Sequence, residues 1–204
     1  MSEKIPSVLV ALRQATQQSH KAVERMTPFF AEGFNQASYL HWLELMHGFY
    51  SRGDAVVVQS GFTAATGWHY IPRCSLIEAD VLALTGQGIK DLPDHGNVLA
   101  DVKELHSIGE VAGMLYVVEG SALGGEVLMK VLGRKVGVSA AAGASFFAPH
   151  GNDPRPMWGN YVQLLAQLVS SGNAEDDVVR GAVTCFTALQ RWIGLGSFAL
   201  AATS

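Results

Sequence analysis

Cysteine is scarce in this sequence: Cys74 and Cys185 are far apart and outside any metal-binding or redox spacing. The expectation is two buried apolar thiols, which suits a reducing cytoplasm. Positive charge is short as well. With 14 Lys and Arg against 18 Asp and Glu, the formal charge is −4, and the basic residues form neither a run nor a stripe interleaved with aromatics, which argues against a nucleic-acid partner. Long uncharged apolar runs are missing too. The best candidate, GMLYVVEGSALGGEVLMKVL, carries Glu119, Glu126 and Lys130, so no membrane span is expected. The opening MSEKIPSVLVALRQATQQSHK lacks the apolar run and small-residue cleavage site of a secretory signal. These absences together predict a soluble, cytoplasmic protein.

What is present points to helices. Two-residue alternation is almost absent, and 49% apolar residues in a chain of 204 suffice for one domain, residues 1–204, with a sizeable core. Residues 5–25 place Ile5, Val8, Leu9, Leu12, Thr16, Ser19 and Val23 at three- and four-residue steps. Residues 36–51 repeat that spacing behind an Asn35 cap, and a further helix is read at 75–85. Gly, Pro, Asp and Asn concentrate at 86–97 and mark a loop before a new start near Asn97. Long helices are then predicted at about 97–106 and 108–133, followed by a broken region at 143–156 and helices at about 157–171 and 174–195. The fold class is all-α, without repeats or a linker.

Seven histidines are the first place to look for chemistry. No HExxH or paired ExxH accompanies them, which weakens a zinc or di-iron reading. His95 and His150 lie in polar loops, and His41, His47, His69 and His106 have surface or helix-flank contexts. His20 differs, because at about 100° per residue it shares a helix face with Arg13, Thr16, Val23 and Glu24. That face borders the apolar stripe, so His20 is expected to point inward at its edge. Glu24, one turn on, is placed to accept from one imidazole nitrogen and leave the other for a metal. Spacing alone leaves a half-buried histidine as the commoner outcome.

A second feature is "EGSALGGE", which puts Gly120, Gly124 and Gly125 inside a helical pattern. Each costs roughly 1 kcal/mol of helix stability relative to alanine. Bare backbone here permits a helix end and restart, close packing through Gly120-x-x-x-Gly124, or close approach to a flat ligand. Adjacent glycines favour a bend.

Together, LRQATQQSHKAVE and LYVVEGSALGGE resemble the bacterial haem oxygenases, especially those associated with bacterial phytochromes. SYLHWLELMHGFY, RCSLIEADVLAL, the tryptophan of MWGNY and CFTALQRWI are similar to further family segments. The resemblance implies an all-α fold that sandwiches haem between a proximal helix and a kinked distal helix. His20 matches the iron ligand and Glu24 its carboxylate partner. Gly120, Gly124 and Gly125 match the distal glycines, and Ser121 stands where many members carry aspartate. Arg13, Lys21 and Tyr116 are the candidates for holding the haem propionates. The implied reaction opens haem, both substrate and cofactor, at a meso carbon to biliverdin, CO and ferrous iron. It consumes O₂ and electrons from an external ferredoxin or reductase, with a bacterial phytochrome as a possible biliverdin acceptor. One alternative keeps the fold and His20 in a non-catalytic haem carrier or sensor; another dispenses with haem, like a thiaminase of similar topology. The resemblance departs at SRGDAVV after Tyr50, where a Pro-Leu-Glu continuation is common, which leaves the local helix geometry open.

Overall fold

The computed structural model describes residues 5–89, 96–151 and 153–196. Its helices are α1 (Ser7–Met26), α2 (Gln36–Gln59), α3 (Phe62–Thr66), α4 (Arg73–Thr85), α5 (Ala100–Lys103), α6 (Ile108–Gly120), α7 (Ala122–Val136), α8 (Arg155–Ser170) and α9 (Glu175–Leu195). Two 3₁₀ turns, Gly96–Leu99 and Ser145–Phe147, complete the order. Among the described residues, extended pairing is confined to isolated bridges from Ser139 to Ala142 and Gly143.

Local chemistry sets the helix ends. Asn35 caps α2 by accepting from the Ser38 amide at 3.1 Å. Ser107 and Glu110 form a reciprocal capping box at the start of α6. α7 stops at Gly137, whose φ of 78° an L side chain rarely adopts. Glu175, Asp176 and Asp177 occupy the first turn of α9, where the helix dipole favours negative charge.

α9 is the floor on which the other long helices meet, with α6 and α1 both packed along it. The α6 crossing is a backbone-to-backbone contact. A Cβ at Gly113 would collide with the carbonyl of Val178, and one at Gly181 with the carbonyl of Glu110. From α1, the buried stripe Val8, Leu9, Leu12 and Thr16 faces inward. Trp192 of α9 ties α2 to the same floor by donating Nε1–H to the Leu45 carbonyl at 2.7 Å. Across the molecule, Asp80 of α4 accepts from the Ser145 and Phe146 amides at 2.7 and 2.8 Å and so fixes the second 3₁₀ turn.

Several expectations need correction. The helix read at 97–106 is instead the 3₁₀ turn Gly96–Leu99 followed by the four residues of α5, with Leu99, Val102 and Leu105 buried. α2 runs on through SRGDAVV to Gln59, and α3 was not foreseen. Asp54, inside that departing segment, accepts from the amides of Arg73 at 3.2 Å and Cys74 at 3.0 Å, so it anchors the start of α4. Cys185 is buried as expected, and burial pushes its thiol up to about 12. Cys74 is only partly buried, with Sγ 3.6 Å from the His47 carbonyl. His47 is buried against α4, where Nε2 pairs with Glu78 at 2.8 Å. His95 and part of the 86–97 loop lie outside the described residues. The stretch Ile108–Val136 is long and apolar enough to cross a membrane, yet 56% of its most apolar window is buried inside the fold.

Gly113→Ala forces the α6 and α9 backbones apart and is expected to cost about 2 to 3 kcal/mol, or roughly 5 to 10 °C in melting temperature. Gly159→Ala, in mid-helix with nothing within 4 Å of its Cβ position, is the control and gains up to about 1 kcal/mol. Equal melting points for the two variants would refute the crossing as described.

Candidate functional site

Two ties set α1 alongside α6 and α7. At one end, Tyr116 of α6 lies close to Thr16 and to the Arg13 charge of α1. At the other, Lys135 near the end of α7 donates to the Ala31 carbonyl, just beyond α1, at 2.5 Å.

His20 is on the cleft side of α1 with its side chain 60% exposed. Here the expected inward orientation fails. The stripe through Leu12 and Thr16 already fills the contact with α9, and the imidazole is left beside it, its ring edge-on to Phe186 at 5.8 Å. Glu24 is where spacing put it: its Oε1 is 3.6 Å from Nδ1 of His20. Nε2 is thus the nitrogen turned away from the carboxylate. Lys21 is exposed but about 100° round α1 from His20, on a different face.

Opposite, α6 and α7 break at Ser121. The amide of Gly124 bonds to the Ser121 carbonyl three residues back at 3.1 Å, which tightens the turn at this point. The three glycines do different work. A Cβ at Gly120 would come within 3.3 Å of the Trp158 ring; one at Gly124 would meet nothing within 4 Å. Gly125 faces away, where a Cβ would collide with the Phe147 carbonyl. Its bareness serves packing of α7 against the 3₁₀ turn that Asp80 holds. Ser121 is exposed, yet its hydroxyl donates to the Val118 carbonyl at 2.7 Å and lies close to buried Tyr50. With its one hydrogen committed, it offers the cleft only an acceptor.

Tyr116 and Trp158 wall one side, with ring centroids 5.5 Å apart. Burial pushes the Tyr116 phenol above its usual range, against the pull of Thr16 and Arg13. Arg13 itself is exposed. Tyr116 thus links the Arg13 side of α1 to Trp158 and, through that ring, to Gly120, while Gly125 is packed against Phe147.

Behind the break lies a polar junction that sequence reasoning passed over. Glu119, fully buried, receives Arg73 Nη2 at 2.5 Å and His150 Nε2 at 2.7 Å on Oε2, and Trp68 Nε1 at 3.1 Å on Oε1. Burial pushes the carboxyl up, but His150, Arg73 and Trp68 outweigh it and hold it below the usual range. His150 is therefore a structural histidine in its polar loop. The available signal was the carboxylate inside the apolar run LYVVEG, since a buried charge requires a partner.

A family model described as "Heme oxygenase" matches residues 7–194. The chain is 38% identical over 121 residues to a heme oxygenase of Xanthomonas campestris pv. campestris (strain 8004), covering 59% of this chain and 67% of that one. The structure of heme oxygenase from Leptospira interrogans superposes with a TM-score of 0.74 at 20% identity, over 93% of this chain and 99% of the other. The NO- and CO-bound heme oxygenase of Neisseria meningitidis gives 0.67 at 23% identity, over 96% of each. At these identities the two structures show a shared fold.

Two outcomes are expected for the ligand-free protein. Gly124→Ala raises stability by up to about 1 kcal/mol, whereas Gly125→Ala lowers it by about 1 to 3 kcal/mol, both read from urea midpoints. Glu119→Gln leaves Arg73 uncompensated and costs about 3 kcal/mol at pH 7. Because the folded carboxyl titrates below its unfolded value of about 4.3, its contribution is complete above that pH and fades below it, so the gap between variant and parent narrows in acid.

Proposed function

The chain belongs to the haem oxygenase family, and from that premise we propose that haem lies between α1 and the α6–α7 break as both substrate and cofactor, with His20 as its iron ligand. The observation that carries this reading is an exposed His20 with Glu24 3.6 Å from its Nδ1, in a chain whose α6–α7 break leaves bare, open backbone at Gly124. The residues fit such a group. A flat macrocycle needs a neutral nitrogen donor on one face, close-lying backbone on the other, apolar rings at its edges and cations for its carboxylates. His20, Gly120 with Gly124, Phe186 with Trp158, and Arg13 supply these in turn.

When bound, haem supplies the iron that activates O₂ and the meso carbon that is opened, giving biliverdin, CO and ferrous iron. The chain's own groups do the rest. Glu24, at 3.6 Å, is beyond a strong direct hydrogen bond; it biases His20 toward the Nδ1–H tautomer without removing that proton, so Nε2 is the donor and stays neutral. Arg13 and Tyr116, at one end of the cleft, are placed to hold a propionate by charge and by hydroxyl donation. Gly124, with nothing within 4 Å of its Cβ position, lets α7 approach the ring where a side chain would stand between. The Ser121 hydroxyl, held by the Val118 carbonyl, keeps its lone pairs free to accept from a water that carries protons to the substrate. Electrons come from an external ferredoxin or reductase, and a phytochrome is a fitting acceptor for biliverdin. The two unpaired cysteines accord with a cytoplasmic setting.

Hemin titration followed by an electron donor and catalase under air tests this. Wild type is expected to bind one haem and then lose the Soret band as a broad biliverdin band rises. His20→Ala should lose the wild-type Soret position and the conversion. Persistence of both in the variant would remove His20 from the iron.

A further inference from the structure

The segment from the second 3₁₀ turn into α8 backs the distal break at three points. The Phe147 carbonyl lies against Gly125, the Trp158 ring against Gly120, and His150 Nε2 donates to Glu119 Oε2 at 2.7 Å. The first two contacts resist compression but exert no pull. The third is directional, and it acts on the residue immediately before Gly120. Glu119 is the meeting point of three separate pieces of chain: the approach to α4 through Trp68 and Arg73, the end of α6, and the turn that carries His150. Arg73 also donates to the Ile71 carbonyl at 2.8 Å, so its guanidinium is held from a second side. His150, 12% exposed, is the member at the rim of this junction.

We propose that His150 is a positioning residue for the distal helix: its hydrogen bond to Glu119 fixes how closely the Gly120–Gly124 backbone lies over the substrate. The role rests on the haem reading above and extends it to a residue outside the cleft. Oε2 of the carboxylate accepts from both Arg73 and His150, and Oε1 from Trp68. Removing the His150 donor leaves the end of α6 held by one separate piece of chain, through Arg73 and Trp68, so its position loosens. Arg73 still neutralises the buried charge, so the fold persists while the break relaxes. Haem affinity, carried by His20 and the propionate contacts, is little affected; turnover, which depends on the distance from α6 and α7 to the ring, is sensitive.

Three measurements on the full chain, made for His150→Ala and His150→Gln, test this. In the haem-free protein, amide exchange across residues 119–125 is expected to quicken about tenfold in His150→Ala, the scale of one lost hydrogen bond to a charged group. Hemin affinity should stay within about threefold, while biliverdin formation slows about tenfold. His150→Gln, whose amide can donate to the same oxygen, should return exchange and turnover to within about threefold of wild type. Unchanged exchange in His150→Ala, equal slowing in both variants, or loss of turnover through weakened hemin binding would each overturn the positioning role. A wild type that binds no hemin would defeat the haem reading and this role with it, and the exchange data from ligand-free protein distinguish that failure from a defect in the contact itself.

Discussion

Contact between the backbones of α6 and α9 is the constraint on which the rest of the site depends. Helices normally stand 8 to 10 Å apart with side chains between them. Here Gly113 and Gly181 remove those side chains at the crossing, and each faces a carbonyl of the partner helix. The position of α6 is thereby set against a floor that also carries α1. Because α1 presents Leu12 and Thr16 to that floor, the next turn of the helix, with His20, is left at the edge of a cleft. A bulkier crossing would lift α6 and change the width of that cleft along its length.

The break after Gly120 is held in place by charge. Burying Arg73 and Glu119 together is expensive in desolvation, and a buried ion pair is a poor device for raising stability. It is a good device for fixing position, since carboxylate and guanidinium tolerate little displacement from their hydrogen bonds. The junction sits one residue before the bend, with Trp68, Arg73 and His150 converging from different parts of the chain. The bend therefore has a mechanical origin beyond the weak helix propensity of its glycines. Gly125 adds a second point, where α7 rests on the Phe147 carbonyl and, through that turn, on Asp80.

Much of this was legible beforehand. The three-to-four residue period of α1 and α9, the Asn35 cap and the helix over 108–133 with a bend at its glycines all depend on interactions within a few residues of one another. Spacing also put Glu24 beside His20. The orientation of His20 was misread, because helical phase gives direction relative to the apolar stripe but not what covers the edge of that stripe. His47 was misread as a surface or helix-flank residue, and the structural partner of His150 was not foreseen: the partners, Glu78 and Glu119, are 31 residues away in each case.

Local patterning by itself determined that the chain is helical, where most helices begin and end, and which residues share a face with His20. Only the tertiary structure decided that Gly124 is left open while Gly125, its neighbour, is closed against a carbonyl. It alone decided that an apolar run's carboxylate meets Arg73, Trp68 and His150. Local rules act through backbone hydrogen bonds and side-chain period over one or two turns. The division of labour among the glycines and the partners of Glu119 depend on which distant segments pack against α6 and α7, and that is settled when α9, α8 and the 3₁₀ turn close around them.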